Sequence, residues 1–129
     1  MTKRGLGIAL VSALACGGGP QGPVSGDLLI SYHPANTEAG AMVLTISGGA
    51  VESVTGLGGQ QVSFTSPLQA TTRVVVLGNF VAGEMLRIRV PDVSLVASYV
   101  VRVDQVAHKT TFALISGSQH TFTVHRPSE

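Results

Sequence analysis

From Asp27 onward the apolar positions of this chain recur every second residue. Leu28, Ile30 and Tyr32 mark a first strand, closed by His33 and Pro34. Met42, Leu44 and Ile46 mark a second, ending at Gly48 and Gly49. Val51 and Val54 make a short third before the glycine-rich turn Gly56 to Gly59, and Val62 and Phe64 a fourth before Pro67. Arg73 to Leu77 is a nearly unbroken apolar run, which predicts a fifth strand covered on both faces. In the sixth, Leu86, Ile88 and Val90 face one way while Met85, Arg87 and Arg89 face the other, giving a buried side and a wet, basic one. Residues 93–97 fit either a connection or a helical turn. Tyr99, Val101 and Val103 open a seventh strand, with Val100, Arg102 and Asp104 on its opposite face. Phe112 and Leu114 mark the eighth, Phe122 and Val124 the ninth.

No segment keeps apolar residues at helical spacing for three turns, which argues against a parallel βαβ architecture. About nine short strands with turn signals roughly every 8–12 residues predict an all-β fold. The expected architecture over residues 27–129 is an antiparallel β-sandwich, immunoglobulin-like or jelly-roll-like.

The start of the chain follows a different pattern. Lys3 and Arg4 precede a run from Gly5 to Ala15 that holds no ionisable side chain and is mostly apolar. A charged start, a short apolar stretch and small residues at its end are the layout of a secretory signal. The run is well short of the roughly 20 apolar residues that span a bilayer. Residues 1–15 are therefore expected to be a signal peptide. Residues 17–26, GGGPQGPVSG, lack any hydrophobic period and read as a linker. Ten such residues have an r.m.s. reach of roughly 17 Å.

The tetrapeptide Ala13, Leu14, Ala15, Cys16 resembles the lipobox of bacterial lipoproteins, with Ala13 where leucine is usual. That resemblance implies cleavage between Ala15 and Cys16 and acylation of Cys16. The same residues also satisfy the A-x-A pattern of ordinary signal cleavage, which cuts at the same bond. Cys16 is the one cysteine of the chain, so an internal disulfide is ruled out. Acylation accounts for the leftover thiol; a free thiol or an intermolecular disulfide are the alternatives. Two acyl chains suffice for stable anchoring, at roughly 0.8 kcal/mol per buried methylene. By the same resemblance, Gly17 in place of an inner-membrane-retaining aspartate favours the outer membrane.

Charge changes the picture less than it first suggests. Loss of Lys3 and Arg4 from eight basic residues leaves six against seven acidic ones, a balance near −1. Nucleic-acid binding needs a basic footprint, and none remains. Charged residues make up 12% of the chain, and the aliphatic content is too high for a disordered body.

The run AGAMVLTISGGAVESVTG, from Ala39 to Gly56, is followed by TRVVVLGNFVAGEMLRIRV, from Thr72 to Val90. Together they resemble, at the level of pattern, the cohesin and carbohydrate-binding-module group of bacterial β-sandwiches. The resemblance implies a nine-stranded sandwich and carries no ligand with it.

Candidate chemistry is sparse. No G-x-S-x-G elbow surrounds any serine. His120 and His125 are five apart and point to opposite faces of a strand. Asp104 and His108 share a face in a regular strand but stand about 13 Å apart. His33 could meet His108 across strands, so His33, Asp104 and His108 form the one candidate metal or hydrolytic set. Trp is absent, and Tyr32 and Tyr99 fall on core-facing positions rather than forming a sugar platform. Arg87, Arg89 and Arg102, with Arg73, offer a basic face for an acidic partner, or charges that discourage edge aggregation. No residue pattern calls for a cofactor.

The expected function is thus an exported, lipid-anchored, non-catalytic binding or scaffolding module that holds a protein or polysaccharide at the envelope. Two other classes compete with it: an enzyme assembled around His33, Asp104 and His108, and a surface subunit that polymerises by strand addition. Replacing the thiol tests the anchor. Cys16→Ser is expected to move the protein from the membrane pellet to the soluble fraction, and intact-mass spectrometry of the parent to show residues 16–129 plus lipid.

Overall fold

The computed structural model describes residues 22–34, 38–117 and 120–127. The signal peptide, its cleavage site and Cys16 lie outside the described residues. Among those described, nine strands form two sheets. They are β1 (Gly26–His33), β2 (Ala39–Ser47), β3 (Ser53–Gly56), β4 (Gln61–Leu68), β5 (Thr71–Leu77), β6 (Gly83–Val90), β7 (Val100–His108), β8 (Leu114–Ile115) and β9 (Thr121–His125). One sheet has the order β3-β6-β1-β9 and the other β4-β5-β2-β7-β8, and every described pairing is antiparallel. The expected β-sandwich is what the chain forms. Among the described residues no helix is long and apolar enough to cross a membrane.

Alternation explains the layers. Leu28, Ile30 and Tyr32 of β1 are buried against Met42, Leu44 and Ile46 of β2, and Val74, Val76, Leu86, Ile88 and Val90 complete the same core. Branched side chains suit this half-buried pleated surface. The turn after β2 shows the backbone cost of closing the sandwich. Gly48 has φ +99°, and a Cβ there would lie 1.7 Å from the Ser98 carbonyl oxygen. Only glycine satisfies both conditions.

Several expectations are corrected by register. β5 is covered on one face only: Val74 and Val76 are fully buried, while Val75 and Leu77 are 38% and 44% exposed. An apolar run reads alike whether its outward residues are covered or bare. Met85 does not share the wet face of Arg87 and Arg89. The β1–β6 ladder steps from Ile30↔Leu86 to Ser31↔Glu84, and this bulge takes Met85 out of the alternation and into the core. Residues 93–97 belong to a 3-10 helix, Val93–Ser98, whose entry is capped by the Asp92 carboxylate accepting from the Ser94 amide at 3.0 Å. Tyr99 follows that helix and precedes β7; its hydroxyl donates to the Ala50 carbonyl at 2.7 Å. Phe112 is not in a strand but in the β7–β8 turn, at φ +61° and 79% exposed. The end of the expected linker is already tied to the domain, because the Val93 amide donates to the Val24 carbonyl at 2.8 Å.

His120 is the one histidine in the core. It is 3% exposed, and its Nδ1 shares a 2.6 Å hydrogen bond with the Tyr32 hydroxyl. Phe122 stacks on Tyr32 at 5.0 Å and Phe80 meets it edge-on at 5.8 Å. Burial pushes the Tyr32 phenol up to about 12 and pulls His120 below its ordinary value. The ring nitrogen Nε2 of His120 is buried and makes no hydrogen bond. Neutral imidazole is therefore the form this site accepts.

The one-sided covering of β5 is directly testable. Val74→Ala is expected to lower the unfolding free energy by about 2 kcal/mol or more, and its neighbour Val75→Ala by less than about 1 kcal/mol, in urea titrations.

Candidate binding face

The outer faces of the two sheets differ in kind. On the β3-β6-β1-β9 sheet most outward groups are polar and answer one another, around Leu29, which alternation with Leu28 and Ile30 turns outward and which its neighbours cover to 8% exposure. Arg87 and Arg89 lie 4.0 and 3.6 Å from the Asp27 carboxylate. Ser31 shares a 2.8 Å hydrogen bond with His125, His33 shares one of 3.0 Å with Thr123, and Glu84 stands 3.9 Å from His125. These exposed pairs contribute little stability, about 0–1 kcal/mol each. They do leave this face largely charged and solvated.

The other sheet carries apolar rows instead. Register places Leu77, Ala41, Ala107 and Leu114 side by side across β5, β2, β7 and β8, with Val75, Val43 and Gln105 in the next row. Ala41, Met42, Val43, Val75, Gln105, Ala107 and Leu114 line an open hollow of about 160 Å³. The hollow has a local cause. Ala41 and Ala107 are paired and short, so the rim formed by Leu114, which is 67% exposed, stands above them. Phe112, at the tip of the same hairpin, adds a further exposed apolar side chain.

One row further along the strands, polarity returns. Thr45 pairs with Arg73 on one side and Arg102 on the other, and its hydroxyl donates to the Asp104 carboxylate. Arg102 Nε donates to the second oxygen of Asp104 at 2.9 Å. Burial raises the Asp104 pKa, but the Thr45 and Arg102 hydrogen bonds, with the charges of Arg102 and Arg73, more than offset it and hold the carboxyl below its ordinary range. Arg73 makes no ion pair of its own among the described residues.

The sequence-predicted sets are separated by this arrangement. Arg87 and Arg89 project from one sheet and Arg102 and Arg73 from the other, so the four do not form one basic face. Asp104 and His108 do not share a face. The β2–β7 ladder steps from Val43↔Gln105 to Leu44↔Val103, and the bulge at Asp104 reverses the alternation beyond it. His33 is engaged by Thr123, Asp104 by Thr45 and Arg102, and His108 Nδ1 accepts from the Thr110 amide at 3.1 Å while its Nε2 lies 3.9 Å from Glu38. Among the described residues no three His, Cys, Asp or Glu side chains are grouped to hold a metal ion.

Comparison with protein-family models, with curated proteins and with solved structures finds no match. The hollow was not among the residues singled out by sequence. Its signal was there in Val75 and Leu77, which only the ladder shows to be outward.

The Asp104 network predicts a pH dependence. A carboxyl depressed in the folded state and ordinary in the unfolded one adds stability above the ordinary carboxylate pKa, and that stability is lost as pH falls through the folded value. Thr45→Val and Arg102→Gln are each expected to raise the Asp104 pKa in an NMR titration. Asp104→Asn is expected to lose less stability than the parent between neutral and acid pH.

Proposed function

We propose that this protein is an exported module, anchored in the bacterial envelope by a lipid on Cys16, whose β-sandwich binds a partner without catalysis. The observation that carries the reading is the contrast between the two outer faces: one mostly polar and internally paired, the other with a hollow lined by Ala41, Val43, Val75, Ala107 and Leu114. Exposed apolar side chains grouped around a depression and rimmed by polar residues are the form that interaction sites take on soluble domains. The binding face is the one formed by Val75, Val43, Ala41, Ala107 and Leu114, with Arg73 beside it.

The address rests on the leader and the lipobox-like residues, with Gly17 favouring the outer membrane. The partner is a protein or an envelope polysaccharide, held near the surface in the scaffolding manner of the cohesin-like group that the chain resembles in pattern. Nucleic acid is an unsuitable partner on charge grounds. The separation of His33, Asp104 and His108 into three hydrogen-bonding environments favours this reading over an enzyme.

A photo-crosslinking side chain at Val75 is expected to yield a discrete envelope adduct in cells, and one at Thr55, on the opposite sheet, to yield none. Ala41→Glu should suppress the Val75 adduct. Equal labelling from both positions, or none from Val75, would overturn the assignment of this face.

A further inference from the structure

The sandwich has several strand edges, and they are not equally protected. β3 has four residues and β8 two. β9 ends at His125 and Arg126. The part of β7 left open beside β8 carries Arg102 and Asp104. Short length and charge are the usual defences of an exposed edge. β4 lacks them. It has eight residues, it terminates its sheet, and no backbone group on its outer side is hydrogen-bonded among the described residues. Between Glu52 and Arg73 the sequence has no ionisable side chain at all. Pro67 and the register step between Thr65 and Leu68 guard one end, which leaves Gln61 to Thr65 regular and open.

We propose that a second copy of this chain pairs antiparallel with β4 across a two-fold axis centred on Ser63. An unpaired strand edge is satisfied by another extended backbone. The side chains identify that backbone as its own. A two-fold axis at Ser63 sets Ser63 against itself, Gln61 against Thr65 and Val62 against Phe64. Val62 and Phe64 point toward the core side of the sheet, opposite Val76 and Val74, and Phe64 is 38% exposed. Self-pairing covers both in two aromatic–aliphatic contacts, a favourable cross-strand combination. The outer side of the seam is formed by serine, threonine and glutamine. No charge is placed against its own copy, the arrangement that would oppose such symmetry.

The pairing extends beyond the proposed binding role. Joining β4 to β4 makes one continuous sheet from two, so both hollows fall on the same outer surface. A partner with repeated sites would be held at two points, and avidity gains of about 10²–10⁴ come from such linkage.

The test uses the full chain with Cys16→Ser, so that an added cysteine is the one thiol present. Ser63→Cys is expected to form a covalent dimer on mild oxidation, because residues facing each other in an antiparallel pair have Cα atoms about 4.5–5.5 Å apart. Thr55→Cys is expected to stay monomeric, and a mixture of Gln61→Cys and Thr65→Cys to form the mixed dimer in preference to either homodimer. By sedimentation the parent is expected to dimerise, with Ser63→Lys raising the dissociation constant about fivefold or more while its thermal unfolding stays unchanged. A parent that remains monomeric, a dimer insensitive to Ser63→Lys, or equal cross-linking at Thr55 overturns the proposal. Sedimentation reads self-association alone, so its failure is distinct from a failure of the binding face.

Discussion

The structure depends on the contact between the inward rows of β1 and β2. Leu28, Ile30 and Tyr32 on one sheet meet Met42, Leu44 and Ile46 on the other, and all six are essentially removed from water. Each such side chain contributes about 1.5–3 kcal/mol when fully buried. These rows fix which face of each sheet is inside, and every strand paired with β1 or β2 inherits its own inside from them. A slip by one residue would exchange core and solvent along the entire strand.

That inheritance explains why two bulges matter so much. The step at Met85 brings a large side chain into the core that strict alternation would have left in water. The step at Asp104 returns the chain to phase so that Val106 can be buried after Val103, and it leaves a carboxylate outside where Thr45 and Arg102 hold it. Neither bulge alters the strand order. Both decide which residues share a surface, and the one at Asp104 puts that carboxylate and His108 on different faces.

The strands and the sandwich were legible from the chain because alternation at Leu86, Ile88 and Val90, or at Leu44 and Ile46, is a local signal. The surface was not legible to the same degree. Val75 and Leu77 look the same in a list whether they face a neighbour or solvent, since that depends on how many layers cover the sheet. Phe112, and the exact start of β7 after Tyr99, escape the pattern for a related reason. Apolar residues at the ends of strands keep the rhythm of the strand while the backbone has already left it. His120 gave no hint of burial, because its partner Tyr32 is far away in sequence and close only after β9 pairs with β1.

The course of β1 gives the domain two poles. Its first residue, Gly26, sits where Val24 is held by the 3-10 helix, and its last, His33, lies about 23 Å further along. β2 starts at that far pole, and Ala41 and Val43 with it. The described chain therefore enters the domain at the pole remote from Phe112 and Leu114. Under the anchoring at Cys16 proposed above, the end that carries Phe112 and Leu114 faces away from the membrane, so its apolar side chains are kept for visitors and not for the bilayer.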